Sequence, residues 1–411
     1  MEGLRVSLKK GGEEMAKTIP AIVTPEVLVW ARNLDNVSVD DIAKRIHTTP
    51  DKILSWEQGI SRPTLKQAKD LAKQYRVPFV YFYLPDTPKK KKRLEKTDYR
   101  TFGNIGNEII TSRELNWFLR DIEDRRDAML SLYAEEKREP FEFPIKLDSN
   151  ASTDEIAGAI RKLLELTDDI QRKFRKPEVA LSHCIQCLEK WDILVFQAAK
   201  ISPSEMRGLS IAYETMPIIA LNRKDEASAR LFTLCHELVH LVTRTSGICN
   251  ETTELNNTQN TTENVCNQIA GKVLVPIDKL SFHPAIRQLR MYGFDDSYVY
   301  QISRDFAVSK EVILHGLWEM NIITKERYFE ILNRYSDEYK TYKAKQKKGF
   351  LPPYTDTGTQ VGKLYARTVL NAYYTDKISA RDASGYLLNL KAKNFGKLEW
   401  FEMSSRNMAI M

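Results

Sequence analysis

The sequence has few of the features that mark secreted or membrane proteins. Its 411 residues include five cysteines, an odd number that argues against a disulfide framework and fits a reducing compartment. Charged side chains interrupt residues 1–20, where a signal peptide needs an apolar segment. The longest apolar run, at 77–85, is too short to cross a bilayer. We therefore expect a cytoplasmic protein with no membrane partner, whose 42% hydrophobic content can bury a sizeable core.

An excess of positive charge is missing from most of the chain. Residues 1–100 hold 20 Lys and Arg against 13 Asp and Glu, whereas residues 101–411 hold 42 of each. All of the net charge of +7 therefore lies at the N-terminal end. A basic domain on a neutral body indicates an anionic partner such as nucleic acid.

Histidine is also scarce, yet two of the six histidines form the pattern His-Glu-x-x-His at His236, Glu237 and His240. Leucines at helical spacing around them predict an amphipathic helix over 226–242. Because His236 and His240 lie one turn apart on it, their imidazoles can bind the same metal ion. Glu237 can accept a proton from water on that ion. We predict a catalytic zinc site with Glu237 as the general base.

A catalytic zinc ion normally has three protein ligands, so this site needs one more. A third histidine six residues after the second is absent, because position 246 is serine. Glu263 lies in the first turn of the next predicted helix and is our choice of third ligand. Glu251 and Glu254 are weaker alternatives, since a polar loop positions a ligand poorly. Asn267, one turn after Glu263, is predicted to orient that carboxylate.

Three short strands are predicted before the metal helix, at 192–197, 208–213 and 217–222. Tyr213, at the end of the second strand, is a candidate oxyanion donor. Upstream, Cys184 and Cys187 form a Cys-x-x-Cys pair on a predicted helix. Because no second pair completes a zinc site, we interpret these cysteines as buried thiols, with metal or redox chemistry as the alternative.

The N-terminal region is predicted to form five short helices. Residues that can cap a helix precede four of them, at Thr24, Ser38, Thr49 and Thr64. A tight turn joins the second and third helices, as in a helix-turn-helix domain.

The stretch DDIAKRIHTTPDKILSWEQGISRPTLKQAKDLA resembles the lambda-repressor-like (XRE) helix-turn-helix family. This resemblance implies that the third helix enters the major groove of DNA and presents Thr49, Asp51, Lys52, Ser55 and Gln58. Two acids on that helix, Asp51 and Glu57, suit a phosphate-rich surface poorly. Protein contacts are therefore the alternative role of this domain, and we expect Trp56 in its core.

The stretch from about 192 to 276 resembles the ImmA/IrrE family of metallo-endopeptidases. The segments PIIALN, RLFTLCHELVHLV and ENVCNQIAGKVLVP carry the resemblance. It implies zinc bound by His236, His240 and Glu263, with Glu237 as general base. It also implies cleavage of a repressor in a mobile element, or relief of repression under stress. Many members carry an N-terminal XRE domain, and the same order is repeated here.

We expect an α+β protein that is mostly α-helical. It comprises an N-terminal five-helix helix-turn-helix domain, a zincin-like metallopeptidase domain with a small sheet, and a helical C-terminal domain. The predicted boundaries are 18–86 for the helix-turn-helix domain, 87–150 for a basic linker and long connecting helix, 151–290 for the peptidase domain, 291–345 for a winged-helix-like module and 346–411 for a C-terminal helical module. Further helices are predicted at 108–136, 153–166, 177–190, 324–343, 360–375 and 378–390.

The leading prediction is a zinc-dependent endopeptidase that cleaves one regulatory protein, such as a transcriptional repressor or an antitoxin-like partner. One alternative is a DNA-binding transcription regulator whose peptidase-like domain senses a signal or binds a partner without cleaving it. Another is an interaction protein of a mobile element or defence pair that sequesters its partner.

Overall fold

The computed structural model describes residues 20–34, 37–88, 112–148, 150–245, 258–345 and 351–408. The chain divides into two compact units, residues 1–95 and 96–411, and each is described by itself. The basic block of the predicted linker, 89–93, and the alternative ligands Glu251 and Glu254 lie outside the described residues. Within the described parts, no helix combines the length and the apolar composition needed to cross a membrane.

The N-terminal unit is a small bundle of short helices around one apolar core. Its described helices are α1 (Pro25–Asn33), α2 (Val39–Arg45), α3 (Pro50–Glu57), α4 (Leu65–Tyr75) and a final 3-10 turn (Phe79–Tyr83). Ile42, Ile53, Leu71 and Phe82 are each at most 1% exposed and bring these elements together. The chain reverses between α2 and α3 at His47, which has a φ of 55°. The predicted helix-turn-helix arrangement is therefore present.

Two of the predicted helix caps of the N-terminal unit form. The Ser38 hydroxyl accepts a hydrogen bond from Asp41 N (3.1 Å), and Thr64 forms a capping box with Gln67. Thr49 makes no side-chain cap. Thr24 makes none either, because its hydroxyl donates to the carbonyl of Leu84 (2.7 Å) and ties the beginning of the domain to its end.

The C-terminal unit contains a three-stranded sheet in the order β1 (Leu194–Ala198), β3 (Ile218–Asn222), β2 (Gly208–Ile211). The central strand β3 runs parallel to β1 and forms an antiparallel hairpin with β2, in which Gly208 lies opposite Leu221. Every residue of the three strands is buried, because helices pack against the sheet. This small sheet supports the candidate site.

Helices make up the rest of the described C-terminal unit. In chain order they are α5 (Arg113–Glu135), α6 (Thr153–Leu163), α7 (Asp168–Phe174), α8 (Pro177–Glu189), α9 (Ala227–Thr245), α10 (Thr258–Leu274), α11 (Ile277–Ser281), α12 (Pro284–Tyr292), α13 (Asp296–Phe306), α14 (Lys310–Glu319), α15 (Lys325–Lys345), α16 (Pro353–Val361), α17 (Lys363–Tyr374), α18 (Ala380–Tyr386) and α19 (Phe395–Met408). Helix α9 packs on β2, β3, α8 and α10, while α5 and α16 pack on β1. The predicted α+β, mainly helical fold is confirmed.

Several helices differ from the predicted ones. Helix α7 was not predicted, although Thr167 caps it by accepting from Ile170 N (3.3 Å). The helix predicted at 360–375 begins only at Lys363, because Gly362 (φ 77°) separates it from α16, which ends at Val361. A Cβ at Gly362 would lie 2.8 Å from the carbonyl oxygen of Val195, so the close approach of the chain to β1 requires glycine there.

Candidate metal centre

Helix α9 carries the His-Glu-x-x-His pattern into the interior of the C-terminal unit. Its leucines at helical spacing, Leu231, Leu234, Leu238 and Leu241, are at most 1% exposed and anchor one face in the core. His236, Glu237 and His240 are also buried, at 3%, 6% and 6% exposure. The Nε2 atoms of the two histidines lie 3.1 Å apart. The helix therefore directs both imidazoles at one point.

Helix α10 brings the carboxylate of Glu263 to the same point. One Glu263 oxygen lies 3.2 Å from His236 Nε2, and the other lies 3.6 Å from His240 Nε2. These donor atoms all lie within 4.8 Å of one another. Ligand atoms about 2.0–2.1 Å from a tetrahedral zinc ion lie about 3.4 Å apart. Two imidazole nitrogens and a carboxylate at this spacing fit zinc.

The candidate ligands change one another's pKa values. Hydrogen bonds with His236 and then His240 hold the pKa of Glu263 well below its usual range, so Glu263 is a carboxylate at neutral pH. Burial lowers the pKa of His236, but its hydrogen bond with Glu263 and the nearby charge of Glu237 outweigh burial and raise that pKa. The site is therefore electronegative and suited to a cation.

Glu237 lies between the two histidines and strand β2. Burial raises the pKa of its carboxyl group, against the opposing effects of His240, His236 and a hydrogen bond donated by Ser210 of β2. A Cβ at Gly208 would lie 2.3 Å from Thr233 Cγ2 and 2.9 Å from a Glu237 oxygen. The strand can pass this close to the helix only because residue 208 is glycine. Neither Gly208 nor Ser210 was predicted, since only the packing of β2 on α9 reveals them.

Asn267 is close to the site but contacts a different partner from the predicted one. Its side chain hydrogen-bonds with His236, and this contact raises the pKa of that imidazole. Among the described contacts, Glu263 is bonded to His236 and His240 rather than to Asn267. Asn267 therefore supports a histidine, and its predicted role in orienting the Glu263 carboxylate stays a prediction.

Tyr213, the candidate oxyanion donor, is held by helix α5. The guanidinium of Arg126 lies 3.6 Å from the centre of its ring. Burial raises the pKa of the Tyr213 hydroxyl, and the charged groups acting on it are Glu123, Arg126 and Asp127 of α5. These contacts do not bear on the metal site, so the oxyanion role of Tyr213 stays a prediction.

A second group of possible ligands surrounds the Cys-x-x-Cys pair on α8. Glu165, His183 and Cys187 have donor atoms within 4.8 Å of one another. However, His183 Nε2 lies 3.0 Å from the carbonyl oxygen of Leu164, and Lys190 Nζ occupies the Glu165 carboxylate at 2.6 Å. Burial raises the pKa of the Cys187 thiol to about 12, which disfavours the thiolate that a metal needs. The interpretation as buried thiols is confirmed for both cysteines, which are at most 1% exposed.

The predicted DNA-contacting residues lie along α3 and its two ends. Thr49, Asp51, Lys52 and Gln58 are exposed, whereas Ser55 is half-buried and its hydroxyl bonds to that of Ser61 (2.7 Å). Trp56 is 4% exposed and lies in the core, as predicted.

Glu57 is not a free acid on the predicted DNA surface. Both of its oxygens accept hydrogen bonds from the Arg32 guanidinium, at 2.7 and 2.9 Å. Its side chain is 6% exposed. The ion pair with Arg32 therefore weakens the expected conflict between Glu57 and phosphate, because the guanidinium neutralises the carboxylate.

Comparison with known families agrees with this division of the chain. Residues 28–82 match the family model for a helix-turn-helix domain. Residues 189–317, which include the three candidate ligands and Glu237, match the M78 peptidase model described as the IrrE N-terminal-like domain. The chain is thus similar to a helix-turn-helix family near its N-terminal end and to a peptidase family in its central part. The first family model is of the XRE type, and the second is of the IrrE/ImmA type, a family that is in general zinc-dependent.

Other comparisons add little. A search of curated proteins gives no match. A solved structure of a Mycobacterium tuberculosis transcriptional regulator is similar over 48% of this chain, with 16% identity and a TM-score of 0.29. The matched region spans 51% of that regulator's chain.

Proposed function

We propose that the protein is a zinc-dependent endopeptidase that cleaves one regulatory protein at a specific site. The convergence of two imidazole nitrogens and one carboxylate, with Glu237 beside them, carries this proposal. His236, His240 and Glu263 would hold the ion, which leaves room for water and a substrate carbonyl.

The mechanism follows from the chemistry of these residues. Zinc held by His236, His240 and Glu263 would supply Lewis acidity and would make water at the site easier to deprotonate near neutral pH. Glu237 accepts the proton of the attacking water and later returns it to the departing amine. The buried position of Glu237 supports this role, since burial raises its pKa and makes it a better proton acceptor than an exposed glutamate.

The substrate we propose is a transcriptional repressor or an antitoxin-like protein. The presence of an XRE-type domain in the same chain supports this choice, because such a domain can bring the peptidase to regulatory DNA or to a protein bound there. Cleavage would then change the expression of genes in a mobile-element, stress or defence response.

The decisive experiment compares the full chain with its Glu237→Gln variant. Each is analysed for zinc by mass spectrometry and incubated with the repressor encoded by the neighbouring gene. We expect both proteins to contain zinc, and only the wild type to produce two fragments. If the variant restores regulation in cells as well as the wild type does, proteolysis is not the function.

The alternative is a DNA-binding transcription regulator whose peptidase-like domain binds a signal or a partner. The exposure of Lys52 and Gln58 on α3, together with the neutralised Glu57, favours DNA contact by the N-terminal unit. We expect Lys52→Ala to weaken binding to the promoter DNA of the protein's own gene. The slope of the logarithm of the binding constant against the logarithm of the salt concentration should also become shallower by about one, because one fewer counterion is released. Lys73→Ala, at the exposed end of α4, is the matched control.

A further inference from the structure

Cys266 lies on the face of α10 that also carries Glu263. Residues 263, 266 and 267 are spaced i, i+3 and i+4, so their side chains project from one side of the helix toward α9. The sulfur of Cys266 lies 3.9 Å from Nδ1 of His240. Cys266 is 2% exposed and His240 is 6% exposed, so bulk water does not compete for this contact.

The two nitrogens of His240 face different partners. Its Nε2 points at His236 Nε2 and at the Glu263 carboxylate. Within the described part of the chain, the hydrogen-bonding partner of its Nδ1 is Cys266 Sγ. A histidine that binds metal through Nε2 is neutral and carries its proton on Nδ1, and that N–H needs an acceptor. Sulfur is a weak acceptor, but it is the one placed to meet this need.

The position of the sulfur argues against a role as a metal ligand. The donor atoms that converge belong to His236, His240 and Glu263, and Cys266 Sγ is not among them. It lies instead behind the imidazole ring, on the side of Nδ1. Helix α10 thus supplies one ligand, Glu263, and a neighbour for Nδ1 of another, His240.

We infer that Cys266 is a positioning residue for the metal site. Its sulfur accepts a hydrogen bond from Nδ1–H of His240 and thereby holds the imidazole in the tautomer whose Nε2 lone pair faces the ion. This inference rests on the proposed zinc site and adds a residue to it. Groups that support metal-binding histidines in this way typically change metal affinity by about 10- to 100-fold when they are removed.

The test measures zinc affinity of the full chain by competition with a chelating dye. Cys266→Ala removes the acceptor and is expected to bind zinc about tenfold more weakly. Cys266→Ser keeps an acceptor and is expected to bind more tightly than Cys266→Ala. Cys184→Ala removes another fully buried thiol, on α8, and should leave zinc affinity unchanged even where it lowers stability.

A second measurement reads the environment of this N–H directly. Since the chain has six histidines, nitrogen NMR of the zinc-loaded protein can resolve the imidazole of His240. We expect the Nδ1–H signal of the wild type and of Cys266→Ser to lie downfield of its position in Cys266→Ala, because Cys266→Ala removes the acceptor. A packing role alone would give the same signal in Cys266→Ala and Cys266→Ser. This readout also serves if Cys266→Ala folds too poorly for the zinc titration, because Cys266→Ser can be compared with the wild type.

The outcomes separate this inference from the proposed function. If the wild type binds no zinc, the proposed function fails. If Cys266→Ala binds zinc as tightly as the wild type does, with the Nδ1–H signal of His240 unchanged, only the role of Cys266 is overturned. A sulfur-to-cobalt charge-transfer band in the cobalt-substituted wild type would also overturn it, because the thiolate would then be a ligand.

Discussion

Gly208 is a residue of the sheet that passes close to the metal helix. Replacing it with alanine would place a methyl group 2.3 Å from Thr233 Cγ2 and 2.9 Å from a Glu237 oxygen. We expect Gly208→Ala to destabilise the C-terminal unit by about 1–3 kcal/mol and to displace Glu237, with loss of cleavage. Thermal unfolding and the fragment assay measure the two effects.

Gly158 on α6 provides the matched control for this substitution. A Cβ there meets nothing within 4 Å, so Gly158→Ala should raise stability by about 0.5–1 kcal/mol and leave cleavage intact. Equal behaviour of the two variants would contradict the role given to Gly208.

Glu263 is the residue on which the three-ligand site depends. We expect Glu263→Ala to lose bound zinc, because two histidines alone leave the ion with too few protein ligands. Glu251→Ala should keep it. Zinc content after dialysis against a weak chelator measures both variants. If Glu263→Ala kept zinc and Glu251→Ala lost it, the third ligand would be Glu251 of the polar loop rather than Glu263.

The caps of α3 and α4 allow a comparison between two threonines of the same domain. Thr64 forms a capping box with Gln67, whereas Thr49 makes no side-chain cap. We expect Thr64→Ala to lower the free energy of unfolding of α4 by about 1 kcal/mol. Amide hydrogen exchange in α4 should then become about fivefold faster. Thr49→Ala should leave exchange in α3 unchanged, so any effect of that variant on DNA affinity would report contact rather than stability.

The sequence predicted local elements better than it predicted their partners. Periodicity located the metal helix and the three strands, since burial imposes a repeat that survives in the sequence. The same pattern could not reveal that Arg32 neutralises Glu57 or that the Thr24 hydroxyl bonds to Leu84, because these partners are 25 and 60 residues apart. It also missed the break at Gly362, which is imposed by the approach of the chain to β1.

The same limit applies to the candidate site. His236, Glu237 and His240 were predictable because four-residue spacing on one helix fixes their geometry. Glu263 was chosen from its place in the next helix, and the structure brings it to the two histidines. Cys266 of α10 lies beside Nδ1 of His240, and Ser210 of β2 lies beside Glu237. These neighbours could not be predicted, because only the packing of α10 and β2 on α9 brings them to the site.

The C-terminal helices are part of the same compact unit as the candidate site, residues 96–411. Helix α16 packs on β1, and α17 packs on α5 and α8. The carboxylate of Glu189, at the end of α8, accepts a hydrogen bond from Leu364 N (3.1 Å). These contacts extend the packed unit well beyond the matched region, 189–317. The predicted boundary at 346 stays a prediction.

Glu189 makes the stability of this unit depend on pH. Burial raises the pKa of its carboxyl group above the ordinary value of 4.5, despite opposing effects of Leu364 N and Lys363. A carboxyl group whose folded-state pKa is raised contributes stability below its unfolded pKa, and this contribution is lost as pH rises through the folded pKa. Glu189→Gln keeps an acceptor oxygen and cannot ionise. We therefore expect the variant to gain stability relative to the wild type as pH rises from about 4 to 8, measured by urea unfolding.

Glu165 provides a control of opposite sign for this pH dependence. Its hydrogen bond with Lys190 lowers the pKa of its carboxyl group, so its contribution to stability is present above the unfolded pKa and is lost as pH falls. Glu165→Gln should therefore be closest to the wild type in acid and lose stability relative to it toward neutral pH. The effect should be small, because both partners are about half-exposed and water screens their charges. If Glu189→Gln also lost stability relative to the wild type as pH rises, Glu189 would be an ion-paired group. The link between α8 and α17 would then be electrostatic.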